Sequence, residues 1–183
     1  IHRGGYDPFK FDITGFLSGG KEVLTLRVWD PSDDGGQPVG KQHLNPHGIW
    51  YTPSSGIWQT VWMEPVPDPS IRDFRLVPDL KESALLVTVD ADPPEGTAVI
   101  LRARDGENVV AEARGAPGHP IRLSIPGARL WTPGTPFLYG LEILLEAEGA
   151  KTDRVESYFA MRELALGTEN GVTRLLLNGR FVF

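Results

Sequence analysis

The densest aromatic stretch of this chain, residues 48–62, holds three of its five tryptophans. Aromatic faces stack on the C–H-rich faces of sugars, so a carbohydrate platform is the chemistry this stretch offers. Trp50 and Tyr51 lie in a loop between Pro46 and Pro53, three residues after His47. Loops carry binding residues disproportionately, and these three are the candidate substrate-binding side chains. Trp58 and Trp62 share one face of an alternating segment, 57–63. There a sugar contact competes with packing against another sheet or domain, and the expectation is burial, with Trp50 and Tyr51 exposed.

Carboxylate pairs are the other chemistry to look for, because glycoside hydrolysis needs two of them about 5 to 9 Å apart. Glu142, Glu146 and Glu148 line one side of an alternating segment and read as a solvated face. Asp30, Asp33 and Asp34 sit around a Gly-rich turn that could offer oxygens to calcium, but their spacing matches no defined loop. An acidic surface turn is the simpler reading. His43 and His47 are four apart with Pro46 between them, which argues against a helix that would align them on a metal. There is no cysteine, no Gly-x-Ser-x-Gly elbow and no phosphate-binding glycine loop. On these residues no catalytic group, metal or cofactor is expected.

The elements that must position the aromatics are strands. Glu22–Trp29, Leu85–Ala91, Ile121–Ile125, Tyr139–Ala147 and Val155–Met161 alternate with period two, the pattern of strands with one face on a core and one in water. Asp33-Asp34-Gly35-Gly36, Pro93-Pro94-Glu95-Gly96, Asp105-Gly106 and Pro117-Gly118 punctuate them as turns. The chain is therefore expected to be all-β. Prolines at 65, 67 and 69 cannot sit in a central strand and mark a stiff connector. Beyond it, roughly 90 residues with about seven strands fit an immunoglobulin-like β-sandwich. Residues 1–66 hold about four strands, half of a two-layer fold by the same count. Leu175-Leu176-Leu177-Asn178-Gly179-Arg180-Phe181-Val182-Phe183 is an Asn-Gly hairpin, and it reads as the opening of a further domain. The net charge of −6, with no basic cluster, argues against a nucleic-acid partner. No apolar run approaches the roughly 20 residues of a membrane helix.

Together these motifs resemble glycoside hydrolase family 2, the family of β-galactosidases, β-glucuronidases and β-mannosidases. The run 2–14 followed by Lys21–Asp30 is similar to the second half of its sugar-binding jelly roll, and 55–64 to the strand that closes it. Leu130-Trp131-Thr132-Pro133 with Pro136-Phe137-Leu138-Tyr139 resembles the signature of its immunoglobulin-like domain, which Tyr158–Arg162 would close. Leu177-Asn178-Gly179-Arg180 is similar to the hairpin that opens its catalytic (β/α)₈ barrel. The resemblance implies a partial jelly roll over 1–66, an immunoglobulin-like sandwich over 67–163, and a linker with opening hairpin over 164–183. It also implies that both catalytic glutamates lie in a barrel this chain lacks.

The implied function is the non-catalytic accessory region of a retaining exo-β-glycosidase, β-galactosidase-like, that meets its carbohydrate substrate through that barrel and can form homo-oligomers. The loop His47–Ser54 has no carboxylate where β-galactosidases of the family place an acidic sugar contact, which leaves Trp50 and Tyr51 as its candidates. A free-standing carbohydrate-binding module and a structural pair of adhesion-type sandwiches are the alternatives. The Asn178-Gly179 hairpin discriminates, since neither alternative has use for a barrel-opening element.

Overall fold

The computed structural model describes residues 1–92 and 95–182; Pro93 and Pro94 of one expected turn, and Phe183, lie outside them. The protein is all-β. It divides into two compact units, Ile1–Met63 and Glu64–Phe183.

The second unit begins with seven strands in two antiparallel sheets. β1 (Ser70–Asp79), β2 (Ala84–Asp92) and β5 (Ile121–Ser124) form a three-stranded sheet in the order β1-β2-β5. β3 (Thr97–Asp105), β4 (Asn108–Gly115), β6 (Tyr139–Ala147) and β7 (Ala150–Phe159) form a four-stranded one, ordered β4-β3-β6-β7. The alternation read from the sequence decides which face goes inside. Leu85, Val87, Val89, Ile121 and Leu123 meet Val99, Leu101, Leu141, Ile143 and Leu145 in one buried core. Pro78 sits in β1, an edge strand, where its missing N–H breaks no inner ladder.

The sheets are joined at both sides. The backbone N–H of Ile71 in β1 donates to Asp153 Oδ2 in β7 at 2.8 Å. At the other side a Cβ on Gly115 would lie 2.6 Å from Ile121 Cγ1, so only glycine lets β4 approach β5 this closely. Tyr139 locks the end of the core. Its hydroxyl accepts from the Arg129 N–H at 2.8 Å, its ring stacks on Phe159, and it meets Phe137 edge-on.

After the sandwich comes a three-stranded meander of β8 (Leu164–Glu169), β9 (Val172–Leu177) and β10 (Arg180–Phe181). Asn178-Gly179 forms the expected two-residue turn with both φ positive, and Leu177 pairs with Arg180 across it. Asn170-Gly171 makes a second turn of the same kind between β8 and β9, so the hairpin is a meander. The same dipeptide signal was present there in the sequence.

The first unit departs from the strand pattern. Glu22–Trp29 and 57–63 carry no ladder, and regular structure is limited to a 3₁₀ turn at Thr14–Phe16 and one bridge between Gln42 and Tyr51. The apolar residues Val23, Leu24, Leu26 and Val28 are exposed. Alternation alone does not make a strand, because each face must be covered and each backbone group paired. Within Ile1–Met63 no second sheet does this.

The excised segment 68–163 is expected to fold cooperatively, with slow amide exchange in β2, β3 and β6, whereas excised 1–65 is expected to exchange at unfolded rates. Hydrogen exchange on the two segments checks this, and broad protection in 1–65 would overturn it.

Candidate functional site

The candidate residues of the first unit lie where two loop segments clamp together. The Tyr51 N–H donates to the Lys41 carbonyl at 2.7 Å, and the His43 N–H to the Tyr51 carbonyl at 3.0 Å. Gln42 Oε1 accepts from the Ser54 N–H at 2.7 Å. This clamp brings Trp50 against His43, ring edge to face with centroids 4.3 Å apart. His43 Nδ1 lies 2.8 Å from Asp33 Oδ2, which also accepts from the Leu44 N–H at 3.1 Å. The Leu44 bond, and with it His43, hold the Asp33 carboxyl below its usual range against the opposing effect of desolvation.

The structure thus assembles an aspartate, an imidazole and an indole, of which the sequence reading had named only Trp50 as a sugar contact. Asp33 and His43 are ten residues apart in irregular chain, and no spacing rule connects them. Tyr51 presents its ring outward, 63% exposed, with Lys41 Nζ 5.9 Å above it. His47 turns to its own loop, its Nδ1–H donating to the Asn45 carbonyl at 2.9 Å, and stays exposed.

Tyr51 is exposed as expected, but among the tryptophans the expected order is reversed. Trp50 is half-buried by His43, while Trp58 and Trp62 are 68% and 71% exposed. The Trp58 indole N–H still donates to the Gly5 carbonyl at 2.8 Å, so its polar edge is fixed and its face is open. Burial was expected from strand packing, and the segment that carries these rings has no sheet to pack on.

Besides Asp33, the Asp30 carboxylate of the Gly-rich turn is engaged by donors. Asp30 Oδ1 accepts from the Ser32 N–H and Oδ2 from the Ser55 hydroxyl, each at 2.8 Å, which holds the carboxyl below its usual range. Among the described residues no group of three His, Asp or Glu side chains converges on a metal position.

In the second unit Glu142 and Glu146, expected to be solvated, join a charged lattice on the outer face of the four-stranded sheet, while Glu148 is exposed as expected, in the turn after β6. Cross-strand rows run Glu112–Arg102–Glu142–Glu156 and Arg114–Ile100–Leu144–Arg154. Glu142 is only 6% exposed, so it is a correction to the solvated-face reading. Three arginines cover it: Arg154 Nε at 2.9 Å, and Arg102 and Arg104 at 3.4 Å. Arg154 also pairs with Glu156, offsetting the repulsion between two carboxylates that stand directly opposite on β6 and β7. The outward-facing Ile100 and Leu144, whose register partners are Arg114 and Arg154, are buried as well.

Desolvation acts to raise the Glu142 pKa, but the bonds from Arg104, Arg154 and Arg102 outweigh it and hold the carboxyl below its usual range. A general acid of a glycosidase needs the opposite shift. A carboxyl whose pKa falls on folding adds stability above its unfolded pKa and loses it as pH drops through the folded value. Glu142→Gln is therefore expected to cost about 1–3 kcal/mol at pH 7, the scale of hydrogen bonds to a charged group. The gap between wild type and variant should narrow below about pH 4, where carboxylates protonate. Urea unfolding of both at several pH values checks it, and a pH-independent gap would overturn the assignment.

Residues 70–162, the sandwich and the start of the connector that leaves it, match the profile of the glycosyl hydrolases family 2. A beta-galactosidase of Thermoanaerobacter pseudethanolicus is 25% identical over 167 residues, 83% of this chain and 21% of that protein. A beta-glucuronidase of Paenibacillus borealis is 27% identical over 201 aligned residues, 100% of this chain and 32% of that protein. Among solved structures, the β-glucuronidase from Ruminococcus gnavus in complex with D-glucaro 1,5-lactone superposes with a TM-score of 0.52 at 27% identity, over 64% of this chain and 19% of that one. The chain spans about a fifth to a third of the length of these relatives. The family match covers half of the chain and its whole seven-stranded sandwich, and the chain belongs to the glycosyl hydrolases family 2.

Proposed function

We propose that this chain is the accessory region of a retaining exo-β-glycosidase and hydrolyses nothing by itself. The observation that carries the reading is the condition of its carboxylates. In the sandwich, Glu142, Glu112, Glu146 and Glu156 are each tied to an arginine, and the Glu142 carboxyl is held below its usual range. Double displacement needs one carboxylate free to attack the sugar and another able to hold a proton near neutral pH. In this reading both are supplied by a catalytic domain outside residues 1–183.

The proposed division of labour is a jelly-roll-like domain over 1–66, an immunoglobulin-like sandwich over 67–163, and a barrel-opening element over 164–183. The meander supports that last assignment. Leu164, Leu166 and Leu175 lie on one of its faces and are 68%, 73% and 70% exposed, a leucine surface suited to burial against further structure. Trp50, Tyr51 and His47 would rim the sugar site, with Trp50 braced by His43. The named relatives act on galactosides and glucuronides, as their names say, which supports a β-glycoside of either sugar as the substrate class. The β-galactoside remains the one implied by the sequence resemblance.

The purified chain is expected to release no nitrophenol from nitrophenyl β-galactoside, β-glucuronide or β-mannoside above the buffer rate. Turnover abolished by a single substitution within residues 1–182 would overturn the reading. In the intact parent enzyme, Trp50→Ala is expected to weaken substrate or inhibitor binding by about 1–3 kcal/mol, the scale of a lost stacking partner. Inhibition constants measured on the two enzymes check this, and unchanged constants would remove Trp50 from the sugar site.

A further inference from the structure

Asn178 does more than turn the chain. Its backbone N–H donates to the Glu163 carbonyl at 2.8 Å, and its side-chain Oδ1 accepts from the Glu163 N–H at 2.9 Å. This closes a two-bond ring between the residues that precede β8 and follow β9. In a regular ladder the returning acceptor would be the Asn178 carbonyl. At φ 51° the chain is already turning away, and the side-chain oxygen takes that place. The remaining end of the amide, Nδ2, donates to the carbonyl of Trp131 at 2.9 Å, in the loop between β5 and β6. The amide orientation is fixed by its partners: one is an N–H that needs an acceptor, the other a carbonyl that needs a donor.

Trp131 is itself tied to the segment that leaves the sandwich after β7. Its N–H donates to the Met161 carbonyl at 3.0 Å, and Leu130 bridges Met161 in parallel. Met161 is fully buried in the core. Between the two anchors, the Arg162 guanidinium lies 5.0 Å over the Trp131 ring. The short connector 161–163 is therefore held at Met161 by Trp131, at Arg162 by the indole face, and at Glu163 by Asn178, which closes the circuit back to Trp131.

We infer that Asn178 is a positioning residue, a latch that fixes the meander β8–β10 to the sandwich so that the two move as one body. Asparagine satisfies all the requirements at this position. It tolerates positive φ, as glycine and aspartate also do, and unlike those two it pairs an acceptor for Glu163 with a donor for Trp131. The latch stands on hydrogen bonds within this chain and does not depend on the glycosidase reading.

Residual dipolar couplings and amide exchange on the full chain test it. In the wild type one alignment tensor should fit the amides of β2, β3, β6, β8 and β9 together. Asn178→Gly keeps the turn and removes the latch. It is expected to need a second tensor for β8 and β9 and to lower protection of the Glu163 N–H at least tenfold, with couplings inside the sandwich unchanged. Asn178→Asp keeps the acceptor and lacks the donor, so Glu163 should stay protected while the second tensor appears. Trp131→Ala keeps the carbonyl and should keep one tensor. A single tensor in Asn178→Gly and Asn178→Asp, two tensors in the wild type, or release by Trp131→Ala alone would each overturn the latch. If Asn178→Gly loses the meander altogether, the Asn178→Asp couplings decide.

Discussion

An amphipathic strand gains from its apolar side only when a second layer lies opposite, and its backbone groups are satisfied only when a neighbour pairs with them. The two units of this chain obey the same constraint with opposite outcomes. Between Ser70 and Met161 the chain supplies seven strands in two sheets, and residues such as Leu85, Leu101, Leu123 and Ile143 are wholly removed from water. In Ile1–Met63 the same kind of alternation, at Leu24, Leu26 and Val28, finds no opposing layer and no ladder. The difference lies in the number of partners available to each segment, since the local patterns are alike.

The outer face of the four-stranded sheet shows how a charged surface can be as ordered as a core. Glu142 would pay heavily for its burial if it were alone. Arg102, Arg104 and Arg154 surround it, and Ile100 and Leu144 on the same face are buried too. This arrangement gives Glu142 partners from both neighbouring strands, β3 and β7. It also argues against Glu142 as a general acid, because the same arginines hold its carboxyl below the usual range.

The family relationship places physical meaning on motifs that look decorative in the sequence. In the Leu130–Tyr139 stretch, Tyr139 plugs the core and receives the Arg129 N–H, while Thr132 and Thr135 close a small loop through reciprocal backbone bonds at 3.1 Å. Trp131 offers its carbonyl to Asn178 and its ring to Arg162. Sandwich signature and hairpin signature are thus two sides of one joint, which explains why an asparagine beside a glycine serves there better than a plain turn.

Much of this was written in the sequence. Period-two patterning determined the all-β class and assigned the buried faces of β2, β5 and β6, because a strand's side chains alternate whatever surrounds it. Asn-Gly determined the turn at 178–179, since that dipeptide accepts two positive φ angles, and the same signal stood unused at 170–171. Three things were decided only in the folded chain: the arginine cover on Glu142, the meeting of Asp33 with His43 and Trp50, and the exposure of Trp58 and Trp62. Each depends on which distant segment lies alongside or fails to. A linear pattern specifies the direction of a side chain relative to its own backbone and carries no information about what stands opposite it.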